Sequence, residues 1–575
     1  MLKLFRFMKP YRTAVIFTLV LVFLQTLSDL YLPTLMSDIV DDGVVPGDTG
    51  YIWRIGALML VIAALGGVCA VGASYLSAKS AGAFGRDLRS RVFAHVEQFS
   101  LNEFDKIGTA SLITRTTNDI TQVQMVLTML MRVMVMAPLM CIGGIIMAMS
   151  KDVKLSLVII AVVPVLAIII LLVVMRSIPL FKSMQTKIDK LNLVLRENLT
   201  GIRVIRSFNR TRHEQGRFNA ANEDLTQTSI AVNRLMAGLM PVMMLVMNLA
   251  SIAIIWYGGK RIEAGGIAVG DLIAFIQYAW QIMFALIFAS MMFVMVPRAS
   301  ASAARIQEVL DMQPAIQDAD APQPMPARAG SVVFDNVTFY YPGAEVPALS
   351  NISFTAEPGK ATAIIGGTGS GKSTLIHLIP RFYDASEGAV RIGNEDVRRA
   401  SQEQLRDSIG LVPQKALLFT GTIAENIRFG KEDATDEEIR HAAAVAQATD
   451  FIGSMPEGYD SILAQGGTNV SGGQKQRLSI ARALVRRPSI YLFDDSFSAL
   501  DFKTDAKLRA ALKTETADAT LIIVAQRVST VMDADQIIVL EEGKIAGIGT
   551  HRELLANSEV YREIVMSQLS EEEIA

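Results

Sequence analysis

Long apolar segments dominate the first 300 residues of the chain. They lie roughly at 13–36, 52–76, 125–149, 155–179, 231–258 and 268–296. Each reaches the roughly 20 residues that a helix needs to cross a hydrocarbon core about 30 Å thick. No apolar segment of comparable length follows residue 300. The pattern predicts a membrane domain of six helices followed by a soluble domain.

Two polar segments between the apolar ones keep a helical pattern. In residues 77–124, apolar side chains recur every four positions at Leu88, Val92 and Val96, and residues 180–230 contain no proline. Half of such a segment, about 23 residues, would extend roughly 35 Å beyond the membrane as a helix. We therefore predict short turns far from the membrane, near 102–108 and 206–210.

Charged residues indicate the orientation of the membrane domain. Four basic residues precede the first apolar segment, namely Lys3, Arg6, Lys9 and Arg12. The loop after that segment carries Asp38, Asp41, Asp42 and Asp48 instead. Because basic flanks stay in the cytoplasm, the N-terminus and the soluble domain are both expected there. Within the apolar segments, Arg132 and Asp271 are the charged residues that we single out.

Composition excludes some classes of function. The 575 residues include 54 Lys and Arg against 56 Asp and Glu, a net charge of −2, which does not suit a nucleic-acid partner. The two cysteines, Cys69 and Cys141, lie inside apolar segments, so neither a disulfide framework nor a cysteine-rich metal site is expected. Residues 313–330 are rich in Pro, Ala and Asp and indicate an extended linker. We therefore predict a transmembrane domain at 1–312, this linker, and a soluble domain at 331–575.

A phosphate-binding motif lies near the start of the soluble domain. It consists of Gly366, Gly367, Thr368, Gly369, Ser370, Gly371, Lys372 and Ser373, followed by Thr374. An apolar segment at 361–365 precedes it and a helical pattern follows it, which is the strand–loop–helix context that the motif requires. Its backbone N–H groups are expected to surround phosphate oxygens, with Lys372 at the β- and γ-phosphates and Ser373 on Mg²⁺.

Two further features point to nucleotide chemistry. An apolar strand at 489–493 ends in Asp494 and Asp495, and a carboxylate at that end of a parallel strand suits a Mg²⁺ ligand. Ser471 and two glycines begin a helical pattern, which provides another helix N-terminus able to bind an anion. Because one phosphate loop already binds one nucleotide, the second N-terminus suggests a nucleotide held by another chain.

Taken together, these motifs resemble those of ATP-binding cassette (ABC) exporter half-transporters over essentially the whole chain. The resemblance implies a membrane all-α domain of six helices with long cytoplasmic extensions, plus an α/β P-loop nucleotide-binding domain. It also implies ATP and Mg²⁺ as cofactors. The turns near 102–108 and 206–210 then resemble the coupling helices of the family.

The resemblance assigns a role to each matching position. Ser471, Gly472, Gly473 and Gln474 resemble the signature that acts on the partner's ATP, and Asp501 ends the loop that crosses the dimer interface. Tyr341 matches the ring that stacks on adenine. Gln414 matches the glutamine that senses Mg²⁺ and the γ-phosphate, so that Ser373, Gln414 and Asp494 are the expected metal site.

Two positions depart from the family pattern. Asp495 stands where the family usually has the general base Glu, and Gln526 stands in place of the switch histidine. Asp is shorter by one methylene, about 1.5 Å, whereas a general base needs contact near 2.6–3.2 Å. Gln cannot become an imidazolium. The sequence therefore predicts a site that binds ATP and hydrolyses it slowly.

This pattern resembles the degenerate-site subunit of heterodimeric multidrug-type exporters. It implies a partner, a second ABC half-transporter that carries the catalytic Glu and the switch His. Alternatives are a homodimer in which Asp495 acts as a weaker base, an importer-type relative, and a regulatory ABC protein that binds ATP without pumping.

Methionine-rich spans bear on the cargo. Met131, Met140, Met243, Met247 and Met283 are examples, and adaptable methionines suit a hydrophobic or amphipathic small-molecule substrate. Helix packing and contact with the lipid bilayer explain them at least as well. The resemblance implies a multi-pass protein of the plasma membrane, of the bacterial kind.

Overall fold

The structure is a computed structural model that describes residues 2–319, 321–325 and 330–569. It consists of two compact units, Met1–Glu97 with Thr109–Met312, and Gln98–Gly108 with Gln313–Ala575. Residues 320 and 326–329 of the predicted linker, and residues 570–575 of the predicted soluble domain, lie outside the described residues.

The helices of the first 312 residues follow one another with short connections. They are α1 (Leu2–Phe5), α2 (Arg12–Asp38), α3 (Thr49–Val96), α4 (Leu101–Ile107), α5 (Thr109–Thr114), α6 (Ile120–Lys151), α7 (Val153–Thr200), α8 (Ile202–Ser207), α9 (Thr211–Glu263) and α10 (Val269–Asp311). A 3₁₀ turn at Arg6–Tyr11 precedes α2, and π-helical turns at Ile39–Val44 and Arg115–Asp119 follow α2 and α5.

Six apolar helical segments among the described residues are long and apolar enough to cross a membrane, which confirms the prediction of a six-helix membrane domain. The helices α3 and α7 each have 48 residues. At 1.5 Å per residue, each is about 72 Å long, more than twice the thickness of the hydrocarbon core. The additional length of each helix corresponds to the polar segments in which apolar residues recur with helical spacing.

The two short helices between the long ones differ in their surroundings. The helix α4, which overlaps the predicted 102–108 but begins one residue earlier, belongs to the second unit. There the Glu103 carboxylate accepts a hydrogen bond from the Ala315 N–H at 3.3 Å. The helix α8 spans Ile202–Ser207, a few residues before the predicted 206–210, because Gly201 already ends α7.

A buried apolar cluster holds the membrane unit together. Residues of α6, α7, α9 and α10 contribute most of its side chains, and Met243 and Met247 are fully buried in it. Other methionines, such as Met134 at 60% exposure, lie on the outer surface. The methionines are therefore divided between helix packing and the surface.

The second unit is built from twelve strands and short helices within its described residues. Its strands are β1 (Val332–Phe339), β2 (Leu349–Ala356), β3 (Ala361–Gly366), β4 (Glu387–Ile392), β5 (Glu395–Asp396), β6 (Ile409–Val412), β7 (Gly421–Thr422), β8 (Ile462–Leu463), β9 (Ile490–Asp494), β10 (Thr520–Val524), β11 (Gln536–Glu541) and β12 (Lys544–Gly549). Its remaining helices are α11 (Lys372–Leu378), α12 (Gln402–Asp407), α13 (Ile423–Arg428), α14 (Asp436–Val445), α15 (Thr449–Gly453), α16 (Gly472–Leu484), α17 (Phe502–Glu515), α18 (Val528–Val531), α19 (His551–Asn557) and α20 (Glu559–Met566).

Its main sheet, across the described strands, has the order β12-β11-β3-β10-β9-β6. All neighbours are parallel except β11 and β12. A second, antiparallel sheet has the order β2-β1-β4-β5. The parallel strands are buried on both faces: on β9, Tyr491 and Phe493 enter one apolar cluster and Ile490 and Leu492 the other. The carboxyl ends of β3, β9 and β10 are thereby fixed side by side.

Candidate nucleotide-binding site

The phosphate loop connects β3 to α11 in a conformation that requires glycine. Gly369 and Gly371 have φ values of 82° and 97°, in the left-handed region. A Cβ on Gly371 would lie 2.7 Å from Leu349 Cδ2 and 2.9 Å from the Ala348 carbonyl oxygen. Gly367 and Thr368 are exposed at the tip of the loop. The backbone N–H groups of this loop and the N-terminus of α11 provide an anion-binding surface.

We expect the Gly371→Ala substitution to abolish detectable ATP binding at this loop, because the added Cβ forces the backbone away from Ala348 and out of its conformation. Binding of a fluorescent ATP analogue to the purified protein measures this. Gly453→Ala is the matched control, since a Cβ there meets no atom within 4 Å and Gly453 lies outside the nucleotide motifs. Wild-type affinity in Gly371→Ala would contradict the requirement for glycine.

The Lys372 side chain is folded into the loop itself. Its Nζ donates to the carbonyl oxygens of Gly366 at 2.8 Å and Gly367 at 2.7 Å. Burial lowers the pKa of this ammonium, while the charges of Asp495 and Asp494 act in the opposite direction. Next to it, the Ser370 hydroxyl is buried and has no hydrogen-bond partner among the described residues. The loop therefore carries a buried cation and an unused hydroxyl.

The end of β9 brings a carboxylate to the start of α11. The Ser373 hydroxyl donates to Asp494 Oδ1 at 3.1 Å, and Asp494 is 4% exposed. Burial raises the pKa of Asp494, and the bond from Ser373 lowers it. The described residues contain no group of three or more His, Cys, Asp or Glu side chains placed to hold a metal ion. A hydroxyl and a single carboxylate fit Mg²⁺ that takes its other ligands from phosphate and water.

Asp495 is tied to both predicted glutamines. The Gln526 side-chain amide donates to Asp495 Oδ2 at 2.8 Å, and the Gln414 amide donates to the same oxygen at 3.3 Å. Burial raises the pKa of Asp495, and the bond from Gln414 lowers it. Its φ of 47° is in the left-handed region, which few residues other than glycine adopt. The structure thus brings the two positions that depart from the family pattern into direct contact.

Tyr341 belongs to an aromatic cluster beside the loop. Its ring meets those of Phe339 and Tyr383 edge to face, at centroid distances of 5.0 and 5.5 Å. Its hydroxyl pairs with the Thr374 hydroxyl at 2.9 Å, and the residue is 37% exposed. An exposed ring anchored next to α11 is suited to stacking on a base.

The predicted signature residues begin α16. Ser471 is its N-cap, accepting from the Gln474 N–H at 3.3 Å, while Gln474 Oε1 accepts from the Ser471 N–H at 2.8 Å. A Cβ on Gly473 would lie 3.1 Å from the Ala499 carbonyl oxygen, so this helix end packs against the loop that leads to Asp501. Asp501 is itself the N-cap of α17, accepting from the Thr504 N–H at 3.0 Å. No hydrogen bond joins Ser471 to the phosphate loop within the described residues.

Sequence reasoning missed two residues. Gln568, beyond α20, donates to the Gln526 carbonyl oxygen at 2.8 Å and accepts from the Val528 N–H at 2.9 Å, which holds the chain around Gln526 in place. Nothing local in the sequence indicates a contact between positions so far apart.

Asp29 lies inside the first apolar segment, and a lone carboxylate there is a signal that the apolar average concealed.

Comparison with known proteins decides the family. Residues 15–286 match the family model of the ABC transporter transmembrane region, and residues 349–498 match the ABC transporter family model. The chain is 46% identical to an uncharacterized ABC transporter ATP-binding protein of Mycobacterium tuberculosis over 97% of both chains. This chain is an ABC exporter half-transporter. It is also 31% identical to an ATP-dependent lipid A-core flippase of Chromobacterium violaceum over 93% of this chain and 92% of the flippase.

The fold agrees with this assignment. The exporter superposes on the structure of a bacterial Atm1-family ABC exporter with ATP bound, with a TM-score of 0.81 and 26% identity, covering 97% of this chain and 99% of the other. The predicted fold, a helical exporter domain plus an α/β P-loop domain, is therefore confirmed. The chain is a multi-pass membrane protein of the ABC ATPase family.

Proposed function

We propose that this chain is the slowly hydrolysing subunit of a heterodimeric ABC exporter. Its own phosphate loop binds Mg·ATP, and its Ser471–Gln474 signature completes the hydrolysing site of a partner half-transporter. The observation that carries the proposal is the contact of Asp495 Oδ2 with Gln526 Nε2 at 2.8 Å and Gln414 Nε2 at 3.3 Å.

The chemistry of Asp495 explains the slow hydrolysis. A general base must present a free carboxylate oxygen to the attacking water. Oδ2 of Asp495 already accepts two amide N–H groups. These bonds occupy Oδ2 and fix the orientation of the carboxylate, while burial raises its pKa. Asp is also shorter than Glu by about 1.5 Å, so that its reach falls short of the 2.6–3.2 Å contact range. Gln526 adds no positive charge for the γ-phosphate.

The rest of the site supports ATP binding. Ser373 and Asp494 present oxygens that suit Mg²⁺. Gln414 donates a hydrogen bond to Asp495, the residue after Asp494. Tyr341 provides the ring for adenine, and Gly366–Lys372 provide the phosphate loop. When bound, Mg·ATP would supply the charge that pulls Lys372 away from its own loop carbonyls. The family motif and these contacts support the role proposed for each residue.

Surfaces outside the site support a partner chain. Ile202, Val204 and Phe208, at and just after α8, are 41%, 60% and 74% exposed. Apolar side chains at the end of a long polar helix extension are suited to contact another protein. ABC exporters act as dimers, and we assign this surface to the partner's nucleotide-binding domain. The partner is expected to carry Glu and His where this chain has Asp495 and Gln526.

The names of two relatives support a proposal for the cargo. One is described as a fatty acid ABC transporter ATP-binding/permease protein of Mycobacterium tuberculosis, 35% identical over 82% of this chain and 75% of the relative, and another as the lipid A-core flippase. We infer a hydrophobic or amphipathic cargo moved across a bacterial plasma membrane, with the ATP-binding domain in the cytoplasm. Closure of the two ATP sites would drive the change from inward- to outward-facing states.

The test is an Asp495→Asn substitution in the complex assembled with its partner. We expect ATPase turnover to change by less than about two-fold, because this site contributes little to it. Replacing the partner's corresponding Glu by Gln should lower turnover by about 100-fold or more, the usual contribution of a general base. A near-complete loss of ATPase in Asp495→Asn would show that Asp495 is a working base and would overturn the proposal.

A further inference from the structure

We infer that Asp29, with the side-chain oxygen of Gln281, recognises the positively charged amine group of an amphipathic cargo inside the membrane domain. The inference rests on the proposed export of amphipathic molecules and adds the charge of the cargo to it.

The position of Asp29 on α2 directs it into the helix bundle. Phe23, Leu27 and Tyr31, spaced four residues apart, are 44%, 47% and 43% exposed and form the outer surface of α2. Val22 and Thr18 lie on the opposite side and are 2% and 0% exposed. Residues spaced by three, four or seven share a helix face, so Asp29 lies on the side of Val22. The carboxylate therefore belongs to the interior of the unit.

Asp29 is also deep along the membrane normal. At 1.5 Å per residue it lies about 13 Å from the outer end of α2 at Asp38, and about 25 Å from the cytoplasmic end at Arg12. A carboxylate at that depth is expensive to keep unless it has a partner or a function.

Asp29 has a neutral amide, and no cation, as its partner among the described residues. Lys151 pairs with Asp271 at 3.0 Å. The Arg132 guanidinium donates to the Ser74 hydroxyl at 3.3 Å. The Gln25 side-chain amide donates to the Asp29 carboxylate, and no Lys or Arg among the described residues forms an ion pair with it. A neutral amide does not compensate the charge, so a cation from outside the chain would be bound strongly here.

Gln281 supplies the second polar group of the site. Its Nε2 donates to the Asp29 carbonyl oxygen at 2.9 Å, which fixes α10 against α2 at this level. Its Oε1 is buried and has no hydrogen-bond partner among the described residues. The site thus offers a carboxylate and an unused amide oxygen, and both are acceptors. That pair is complementary to an alkylammonium group, which brings a positive charge together with N–H donors.

The test compares a fluorescent long-chain alkylamine with its N-acetylated, neutral analogue in proteoliposomes that contain the complex with its partner. We expect Asp29→Asn to lower ATP-driven transport of the amine at least ten-fold and transport of the neutral analogue by less than two-fold. Gln281→Leu should lower amine transport in the same selective way, and it gives an independent result if Asp29→Asn folds poorly. The matched control is Asp42→Asn, which removes the same charge from an exposed position at the outer end of the span.

The outcomes separate the inference from the proposed function. If Asp29→Asn and Gln281→Leu reduce transport of both probes equally, the two residues are structural and the inference is wrong. Should the unsubstituted complex transport the neutral analogue but not the amine, the inference is again wrong while export of amphipathic molecules stands. If it transports neither probe, the proposed cargo class fails, and the inference fails with it.

Discussion

We expect Ser471→Ala to lower the ATPase turnover of the assembled complex by about 100-fold or more, the usual effect of removing one donor that stabilises a transition state. Ser471 is exposed at the N-terminus of α16, with the N–H groups of Gly472 and Gly473 beside it. Its Oγ accepts from the Gln474 N–H, and its own hydroxyl hydrogen is donated to no acceptor among the described residues. That hydrogen is available for the γ-phosphate of the nucleotide held by the partner.

Thr435→Ala is the control that separates catalysis from helix stability. Thr435 caps α14 with the same geometry, accepting from the Glu438 N–H at 3.2 Å while Glu438 accepts from the Thr435 N–H at 3.0 Å. Loss of either cap costs about 1 kcal/mol of stability. Both variants should therefore melt at similarly lowered temperatures, with turnover of Thr435→Ala staying within about two-fold of wild type. An equal loss of turnover in both variants would assign the effect to helix fraying rather than to the signature.

The parts of this structure that the sequence predicts are those with a local physical cause. Apolar length specifies a membrane helix, so the spans follow from the sequence. The strand–loop–helix of the phosphate site follows from the motif Gly366–Ser373. At Gly371 the left-handed backbone and the close approach to Ala348 leave no room for a side chain, so that glycine is required there. Likewise, Ser471 and Gln474 form a capping box that the spacing of their residue types specifies.

The contacts of the site depend on the packing of elements that are distant in sequence. Asp495 meets Gln526 because β9 and β10 are parallel neighbours, with Val524 opposite Asp494. Gln414 reaches the same carboxylate because β6 flanks β9 on its other side. The sequence indicated that both substituted positions belong to one hydrolytic site, but the order of the strands determines that they share a hydrogen bond. The same holds for Gln568, whose contact requires the docking of α20.

Restoring the two family residues should restore hydrolysis at this chain's own site. We expect the double substitution Asp495→Glu with Gln526→His to raise turnover by about 100-fold, the low end of the contribution of a general base. The measurement is made in a complex whose partner carries Gln in place of its catalytic Glu, so that the partner's site does not hydrolyse ATP. Glu reaches about 1.5 Å further toward the water, and replacing Gln526 removes the amide bond that occupies Asp495 Oδ2 at 2.8 Å.

The single substitutions and a loop variant identify the source of the restored turnover. Asp495→Glu alone should recover part of it, since Gln526 still donates to the carboxylate and offers no positive charge to the γ-phosphate. Adding Lys372→Ala to the double variant should abolish the gain, because the hydrolysed nucleotide is then no longer held by this chain's phosphate loop. If the complex with the inactivated partner hydrolysed ATP rapidly before any change to this chain, Asp495 would already be an effective base. If the double variant showed no rise in ATP turnover, the slow hydrolysis would not be caused by the contact between Asp495 and Gln526.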